Sequence, residues 1–459
     1  MKKYFCLLTT LAVLFLTSCI KENDGRVYSD ECYVSNVTLG TMKRAVKIKT
    51  EAGTDSVAYT TYSGHYFKMT VDQRNNTIEN RDSLLYGTSV DAVLMNITFT
   101  GGVVAYRPAD EDTLDWSYYN NTDSMDLTKP LHLYVVAEDS EHTRTYTLKV
   151  NVHQQEGDSL YWTRLDSVST FDGMTAMRAV VKGSQLMVLG KTSSGVKVAL
   201  RTSLDKEGQW QNLSTNLPQQ TEVQTLKLQG ENLFVSTADG VVYTSLDGLQ
   251  WTACGAPKAG LRLAAVTERY LYAVLPDGIY RSADGANWDA ETLDDEVSNL
   301  PYNLLNGRYY IQENGLHRLQ ILGCRNNEAD TVAVVWSKVW TDSEPEGEAE
   351  WVYCASSYDM THACPRLNDL TVVTYDGRGM AFGGASPEGL GVHKAMDGLY
   401  FSNDHGLTWH ADAQLHCPTA LYGVSGPLAG VVDEDNFIWI IADHQVWRGR
   451  LNRLAFERQ

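Results

Sequence analysis

Short runs of apolar or alternating apolar and polar residues occupy the first third of the chain, without the spacing of an amphipathic helix. Turns rich in Gly, Asp and Asn separate these runs, which cover residues 32–39, 45–50, 66–71, 92–99, 131–137 and 145–152. Strands of this length and spacing predict a β-sandwich over residues 28–153. A polar linker is expected at residues 154–158, where the pattern changes.

From residue 159 onward the pattern is strand, tight turn, strand, and then a short phrase that ends in tryptophan. The phrase recurs as Ser245-Leu-Asp-Gly-Leu-Gln-Trp251, as Ser282-Ala-Asp-Gly-Ala-Asn-Trp288 and as Ser402-Asn-Asp-His-Gly-Leu-Thr-Trp409. Repeats that are some tens of residues apart and carry strand–turn–strand chemistry are typical of radially repeated sheets. The sequence therefore predicts a β-propeller over residues 159–459.

The repeated phrase has a local structural interpretation. Asp and Ser side chains bond nearby backbone groups in a turn, Gly adopts a conformation that other residues disfavour, and Trp buries a large ring. The longest copy resembles the Asp-box of sialidase-type propellers, in which this motif is structural and peripheral. We therefore expect a structural role, and no ligand contact, for Ser245, Asp247, Trp251, Ser282, Asp284, Trp288, Ser402, Asp404, Gly406 and Trp409.

The tryptophans also predict the number of blades. Outer strands are expected to begin at Trp210, Trp251, Trp288, Trp351 and Trp409. A sixth, around Trp162, precedes the first complete blade, and no such strand follows the last two apolar runs of the chain. Pairing of the Trp162 strand with the last blade closes a six-bladed ring and leaves fewer exposed sheet edges. Seven blades, with a degenerate blade between Trp288 and Trp409, are the alternative.

The N-terminus has the layout of a secretory signal. Two lysines precede an apolar run at residues 4–16, which is too short to span a membrane, and Leu16-Thr-Ser-Cys19 follows. This ending resembles a bacterial lipobox, which implies that residues 1–18 are removed and that Cys19 is lipidated. The charged tether at 19–27 resembles the export signal of surface lipoproteins in Bacteroidetes-type bacteria. We therefore expect a surface-exposed outer-membrane lipoprotein, with a periplasm-facing location as the alternative.

Charge and cysteine content narrow the range of partners. The formal net charge is −19, which disfavours nucleic acid as a ligand. Cys354 and Cys364 fall in one insertion, where an oxidising compartment would permit a disulfide, and buried free thiols are the alternative. No spacing of Cys or His residues predicts a metal site or a cofactor. We expect the acidic cluster at 342–350 to form a solvated loop.

Several features together resemble one family. Residues 135–139 and 146–150 are similar to the last hairpin of immunoglobulin-like modules in bacterial surface lipoproteins, and Gly383-Gly384 is kelch-like. With the lipobox and the Asp-box repeats, they resemble an uncharacterised Bacteroidetes-type surface lipoprotein family with an N-terminal Ig-like sandwich and a C-terminal propeller. This resemblance implies an architecture and a cellular location, and it does not imply any catalytic activity.

The sequence favours binding over catalysis. Sialidases need three converging arginines. Arg178, Arg262, Arg308 and Arg366 could converge from different blades, but nothing in their spacing indicates that they do, so no catalytic residue is assigned. The favoured function is a non-enzymatic module that binds a glycan or a surface protein, with Trp336 and Trp340 of the fourth-blade insertion as candidate ligand contacts. The alternative is a glycoside hydrolase with its catalytic acids in the central pocket.

Overall fold

The computed structural model describes residues 27–49, 54–110, 115–165, 168–312, 314–354, 362–412 and 415–455. The signal sequence, Cys19 and most of the tether therefore lie outside the described residues. The chain forms two compact units, and the boundary between them falls between Gly157 and Asp158. Each unit is built from strands, and the helices among the described residues are short 3-10 turns: Gly64–Tyr66, Ser169–Phe171, Val223–Thr225, Val297–Asn299, Glu346–Glu348, Thr419–Leu421 and Asn452–Ala455.

The N-terminal unit contains twelve strands among its described residues. They are β1 (Tyr33–Leu39), β2 (Thr41–Lys49), β3 (Asp55–Ser63), β4 (Met69–Asp72), β5 (Thr77–Asn80), β6 (Thr88–Ser89), β7 (Val93–Thr100), β8 (Val103–Pro108), β9 (Ser117–Tyr118), β10 (Ser124–Met125), β11 (Leu131–Val136) and β12 (Thr143–Lys149). Three sheets result, with the strand orders β1-β7-β10, β3-β2-β6 and β4-β5-β12-β11-β8-β9.

Two of these sheets share one hydrophobic core, as the layers of a sandwich do. In β7 the buried residues Val93, Met95 and Ile97 alternate with exposed ones, which is the period-two pattern of a strand with one solvent face. They pack in the same cluster as Leu133 and Tyr146 of the six-stranded sheet. The alternation in the sequence therefore identifies the inner faces correctly.

The C-terminal unit contains twenty-four strands among its described residues. They are β13 (Leu160–Arg164), β14 (Met174–Lys182), β15 (Gln185–Thr192), β16 (Gly195–Arg201), β17 (Trp210–Ser214), β18 (Lys227–Gln229), β19 (Asn232–Ser236), β20 (Val242–Ser245), β21 (Thr252–Ala253), β22 (Arg262–Val266), β23 (Leu271–Leu275), β24 (Gly278–Ser282), β25 (Asp289–Ala290), β26 (Asn303–Ile311), β27 (Leu316–Cys324), β28 (Val334–Thr341), β29 (Trp351–Cys354), β30 (Thr371–Tyr375), β31 (Arg378–Phe382), β32 (Tyr400–Ser402), β33 (His410–Ala411), β34 (Leu428–Val432), β35 (Ile438–Ala442) and β36 (Gln445–Leu451).

These strands form six four-stranded antiparallel sheets, which are the six blades of a propeller. Blades 1 to 5 are β14–β17, β18–β21, β22–β25, β26–β29 and β30–β33, in chain order. Blade 6 has the order β13-β36-β35-β34, so the first strand of the unit completes the last blade. Each blade starts with its innermost strand, and these strands surround the central axis: β14, β18, β22, β26, β30 and β34.

Closure of the ring depends on β13, as the sequence predicts. Leu160 pairs with Leu451 and Arg164 pairs with Trp447 along an antiparallel ladder. The indole Nε1 of Trp162 also donates a hydrogen bond to the carbonyl of His416, at 2.8 Å. Because every sheet among the described residues of this unit belongs to one of the six blades, the seven-bladed alternative is wrong.

The hydrophobic core of the propeller lies between neighbouring blades. Met177 and Val188 of blade 1 pack with Trp439 and Ile441 of blade 6, and comparable clusters join the other blades. Such a core explains why strands in the middle of a blade can be apolar on both faces, as the fully buried β23 is. The innermost strands also carry polar residues, and those that are buried need a partner.

The repeated Ser-Asp-Gly-Trp turns connect the third and outermost strands of blades 2, 3 and 5. In the first, Ser245 Oγ lies 3.0 Å from Asp247 Oδ1, which also accepts backbone N–H bonds from Leu249 and Gln250 at 2.8 and 2.9 Å. Trp251 Nε1 donates to the Gly248 carbonyl at 2.8 Å. The same bonds recur at Ser282, Asp284 and Trp288, and at Ser402, Asp404, Gly406 and Trp409.

No helix among the described residues combines the length and the apolar character that crossing a membrane requires.

Candidate functional site

Two adjoining cavities open at the end of the propeller where the innermost strands begin. The inner pocket, of about 300 Å³, is lined by blades 1 to 4, including Lys191, Glu222, Gln224, Arg262 and Asn303. The outer pocket, of about 620 Å³, lies between blades 3 and 4 and is lined by Leu275, Pro276, Val297, Ser298, Leu300, Tyr302, Arg325, Asn326 and Asn327. Tyr302 lines both pockets.

Several contacts fix the side chains of Arg262 and Tyr302 in the lining of the inner pocket. The Arg262 guanidinium lies 4.4 Å from the centroid of the Tyr302 ring and donates from Nη1 to the Tyr302 carbonyl and to Asn303 Oδ1, at 2.9 and 2.7 Å. Its Nη2 forms an ion pair with Glu222 at 3.3 Å. The Tyr302 hydroxyl donates to the Gly260 carbonyl at 3.0 Å. These contacts fix the positions of both side chains.

Arg325 fixes the outer pocket in the same way. Its Nε and Nη2 bind the two carboxylate oxygens of Asp330 at 2.7 and 2.8 Å, and Nη1 donates to Asn299 Oδ1 at 2.9 Å. Beside it, Ser298, Asn326 and Asn327 are exposed and polar. This pocket therefore combines a fixed cation with amide and hydroxyl groups that face solvent.

Next to the inner pocket, polar side chains from opposite blades bond across the axis. Gln224 of blade 2 donates its amide to Asp369 Oδ1 before β30 at 3.0 Å, and Asp369 Oδ2 accepts the Leu428 N–H at 3.2 Å. Arg178 of blade 1 donates to Asn306 Oδ1 of blade 4 at 3.0 Å. These hydrogen-bonded side chains form a polar layer across the centre of the ring.

Shifted pKa values and left-handed backbone conformations both occur in and beside this layer. Burial raises the pKa of Asp369, against the Leu428 N–H bond and Arg178, and burial lowers the pKa of Arg178 to about 10. Burial and then Arg178 lower the pKa of Lys227 well below its usual range. Leu304, which lines the inner pocket, and Asp369 have φ of 54° and 51°, a left-handed conformation that side chains disfavour. Perturbed pKa values and strained backbone both concentrate at functional sites.

Trp336 and Trp340 do not contact this site directly, and the prediction that they bind ligand is wrong. Trp336 is completely buried and donates from Nε1 to the Asn299 carbonyl at 2.9 Å. Trp340 is 5% exposed and stacks on Tyr309 and His317. Both rings fill the core around blade 4, and through Asn299 the first one supports the wall of the outer pocket.

The possible Cys354–Cys364 disulfide does not form in this structure, in which both residues are free thiols, as the alternative interpretation has it. Cys364 is buried in the cluster that contains Cys324, and burial raises the pKa of both thiols. Burial likewise raises the pKa of Cys354, so these sulfurs behave as small apolar side chains.

Part of the acidic cluster at 342–350 departs from a solvated loop. Glu346 is buried, and its Oε1 accepts hydrogen bonds from Thr267 and Tyr272 at 2.7 and 2.8 Å. The carboxylate thus fastens the loop of blade 4 to blade 3. No cluster of three or more potential metal ligands occurs within the described part of the chain.

Sequence reasoning missed most of the site. Of the four arginines considered, Arg178 and Arg262 reach the centre, whereas Arg308 bonds Gln320 and Arg366 bonds carbonyls of the 327–330 loop. One usable signal was available. Arg178 interrupts the apolar run of residues 176–181 in the first strand of a blade, and that strand faces the axis.

Fold and site together define a six-bladed β-propeller with a pocketed axial face, preceded by an N-terminal β-domain. The chain belongs to the DUF6242 family: the model for the DUF6242 beta propeller domain matches residues 156–459, and the model for the DUF6242 N-terminal domain, a domain of unknown function, matches residues 37–150. No curated protein matches the chain.

Solved structures resemble the chain only distantly. The α-L-arabinofuranosidase Arb93A of Fusarium graminearum is 10% identical, with a TM-score of 0.39 over 65% of this chain and 100% of that one. The extracellular domain of the putative one-component system BT4673 of B. thetaiotaomicron is 12% identical, with a TM-score of 0.34 over 80% of this chain and 39% of that one. YCF48 of Cyanidioschyzon merolae is 13% identical, with a TM-score of 0.32 over 63% and 98%.

Proposed function

We propose that the propeller is a binding module that holds a carbohydrate across the inner and outer pockets. The observation that carries this proposal is the Tyr302–Arg262 pair, which is fixed between two cavities on one face. An aromatic ring beside hydrogen-bonding side chains suits sugar rings, which have an apolar face and a hydroxylated edge. Because the pair is already in place, binding would require little ordering of side chains.

The test is a glycan-binding screen of the purified mature protein, followed by calorimetry on the best ligand. Tyr302→Ala removes the shared ring and is expected to weaken binding at least tenfold. Tyr161→Ala is the matched control, because Tyr161 is exposed on the closing strand β13. Equal affinity of the Tyr302 variant and the wild type, or no saturable glycan binding at all, would refute the proposal.

A glycoside hydrolase remains the second candidate, and the raised pKa of Asp369 favours it. Glycoside hydrolysis needs a general acid and a second carboxylate that acts opposite it. Glu222, in the inner pocket, is the available partner. If the screen detects free sugar, and Asp369→Asn and Glu222→Gln each abolish its release, the protein is an enzyme. Binding without any release of sugar supports the binding module.

We further propose that the protein is a lipoprotein, anchored by Cys19 on the outer membrane and exposed at the cell surface. The lipobox-like Leu16-Thr-Ser-Cys19 sequence and the charged tether support this location. Cys19→Ser is expected to shift the protein from the membrane to the soluble fraction. Protease treatment of intact cells separates a surface location from a periplasmic one, since only an exposed chain is cleaved.

A further inference from the structure

A third cavity, of about 480 Å³, is lined by segments of blades 4 and 5, and none of its lining residues lines the inner or the outer pocket. Three of the residues around it are histidines: His362, His393 and His410. Imidazole is a good ligand for Zn²⁺, Cu²⁺ and Ni²⁺. The distances between the three rings decide which of them can share an ion.

The rings of His362 and His410 lie at the separation that a shared metal ion requires. Their centroids are 4.8 Å apart, and the ring planes are inclined at 61°. Two imidazole nitrogens that bind one ion at about 2.0–2.1 Å, with about 90–109° between them, place the ring centroids about 4.5–5.2 Å apart. His410 is exposed and His362 is partly exposed, so an ion can reach this pair from solvent.

The backbone fixes both residues of the pair. The Trp409 N–H donates to the His362 carbonyl at 2.7 Å, so the chain directly before His410 is bonded to the other histidine. His410 itself pairs with Phe401 in the ladder of the outermost strand of blade 5. An ion therefore meets two imidazoles on backbone that is already in place, which limits the entropic cost of binding.

His393 differs from the other two histidines. Its Nδ1 lies 2.8 Å from the Tyr400 hydroxyl and 3.7 Å from a carboxylate oxygen of Asp397, and these contacts hold the ring against blade 5. Within the part of the chain that the structure describes, no group of three or more His, Cys, Asp or Glu residues is placed to hold one ion. The candidate ligands are therefore two, His362 and His410, and His393 forms a wall of the cavity.

We propose that His362 and His410 bind a divalent transition-metal ion of the class that imidazole favours, namely Ni²⁺, Cu²⁺ or Zn²⁺. This inference goes beyond the proposed carbohydrate binding, because the site lies in a different cavity. Two imidazoles leave coordination positions open, which water or an oxygen atom of a molecule in the cavity fills. The net charge of −19 also favours the approach of a cation.

The first experiment is a calorimetric titration of the untagged mature protein with Ni²⁺ at pH 7.5. The wild type is expected to bind one equivalent saturably. His362→Gln and His410→Gln should each weaken binding at least tenfold, because each leaves the ion with a single protein ligand. Two controls should bind as tightly as the wild type: His393→Gln, which removes a histidine from the same cavity, and His65→Gln, which removes an exposed one from the N-terminal unit.

Electron paramagnetic resonance of the protein with one equivalent of Cu²⁺ counts the ligands directly. The spectrum should show two nitrogen ligands in the wild type and in His393→Gln, and one in His362→Gln or His410→Gln. Thermal melting without metal checks that each variant is folded. The wild-type spectrum needs no variant, so a spectrum without two nitrogen ligands would overturn the inference. Absence of saturable Ni²⁺ binding, or an equal loss of affinity in His393→Gln, would do the same.

Discussion

Two buried lysines of this propeller differ in what surrounds them. The side chains of Lys338 and Glu291 are both completely buried and form an ion pair, and Glu291 also binds Arg281 and the Trp351 indole, at 2.7 and 3.0 Å. Lys227 has no such partner among the described residues. Burial lowers the pKa of both lysines, but Glu291 opposes the shift at Lys338. Lys338 is therefore held by a buried ion pair, whereas Lys227 is buried without one.

The same substitution should have opposite effects at these two positions. Lys338→Met removes one of the buried partners of Glu291, which keeps Arg281 and Trp351, and should destabilise the propeller by about 1–3 kcal/mol. Lys227→Met removes an uncompensated charge and should leave the stability unchanged or raise it. Urea unfolding followed by tryptophan fluorescence measures both. A large loss of stability in Lys227→Met would assign that lysine a structural role.

The residue scale also explains why tryptophans were poor guides to the site. A tryptophan serves equally well as a core residue and as a sugar platform, and the sequence does not reveal which neighbours surround it. Trp336 and Trp340 fall in the insertion of blade 4, where variable loops are expected, yet both belong to the buried strand β28. Tyr302, in the segment before β26, is the aromatic residue that lines both pockets.

At the scale of elements, the Ser-Asp-Gly-Trp turns are self-contained units. The pKa of Asp284 is lowered by hydrogen bonds from the Asn287 backbone and side chain and from the Ala286 backbone. Gly285 supplies a φ of 76°, which residues with a side chain disfavour. The whole motif is contained within a few residues, and for that reason it could be identified in the sequence.

Acid should weaken these turns in a defined direction. Because the folded pKa of Asp284 is lower than the unfolded value, its stabilisation is complete above the unfolded pKa and is lost as the pH falls through the folded one. Asp284→Ala should lower the melting temperature at pH 7 by about 2–4 °C, with a smaller difference at pH 3. Differential scanning calorimetry at the two pH values measures this. A difference that grows in acid would contradict the assignment.

At the scale of the whole molecule, the propeller depends on a strand from the beginning of the unit. The closing strand β13 covers the outer edge of blade 6, which would otherwise expose unpaired backbone groups. A chain that starts at Asp158 keeps this strand, and a chain that starts at Ser169 lacks it. The first is expected to be the more stable of the two and to stay monodisperse.

Light scattering after gel filtration, together with thermal melting, tests the closure. The shorter chain should associate through the open edge and melt at a lower temperature. A matched variant, Tyr161→Ala in the chain from Asp158, alters an exposed side chain of β13 and should have little effect. Identical behaviour of the two chains would show that closure contributes little to stability.

The sequence by itself determined the architecture. Strand alternation, the repeated turn and the spacing of the tryptophans predicted an all-β chain with six blades and a closing strand at Trp162, because each signal is local or periodic. Only the tertiary structure decided the site. Arg178, Lys227 and Asp369 come from different blades, and their convergence depends on how the closed ring orients each innermost strand. The spacing of these residues along the chain does not predict that they lie close together, because residues far apart in sequence become neighbours only once the ring is closed.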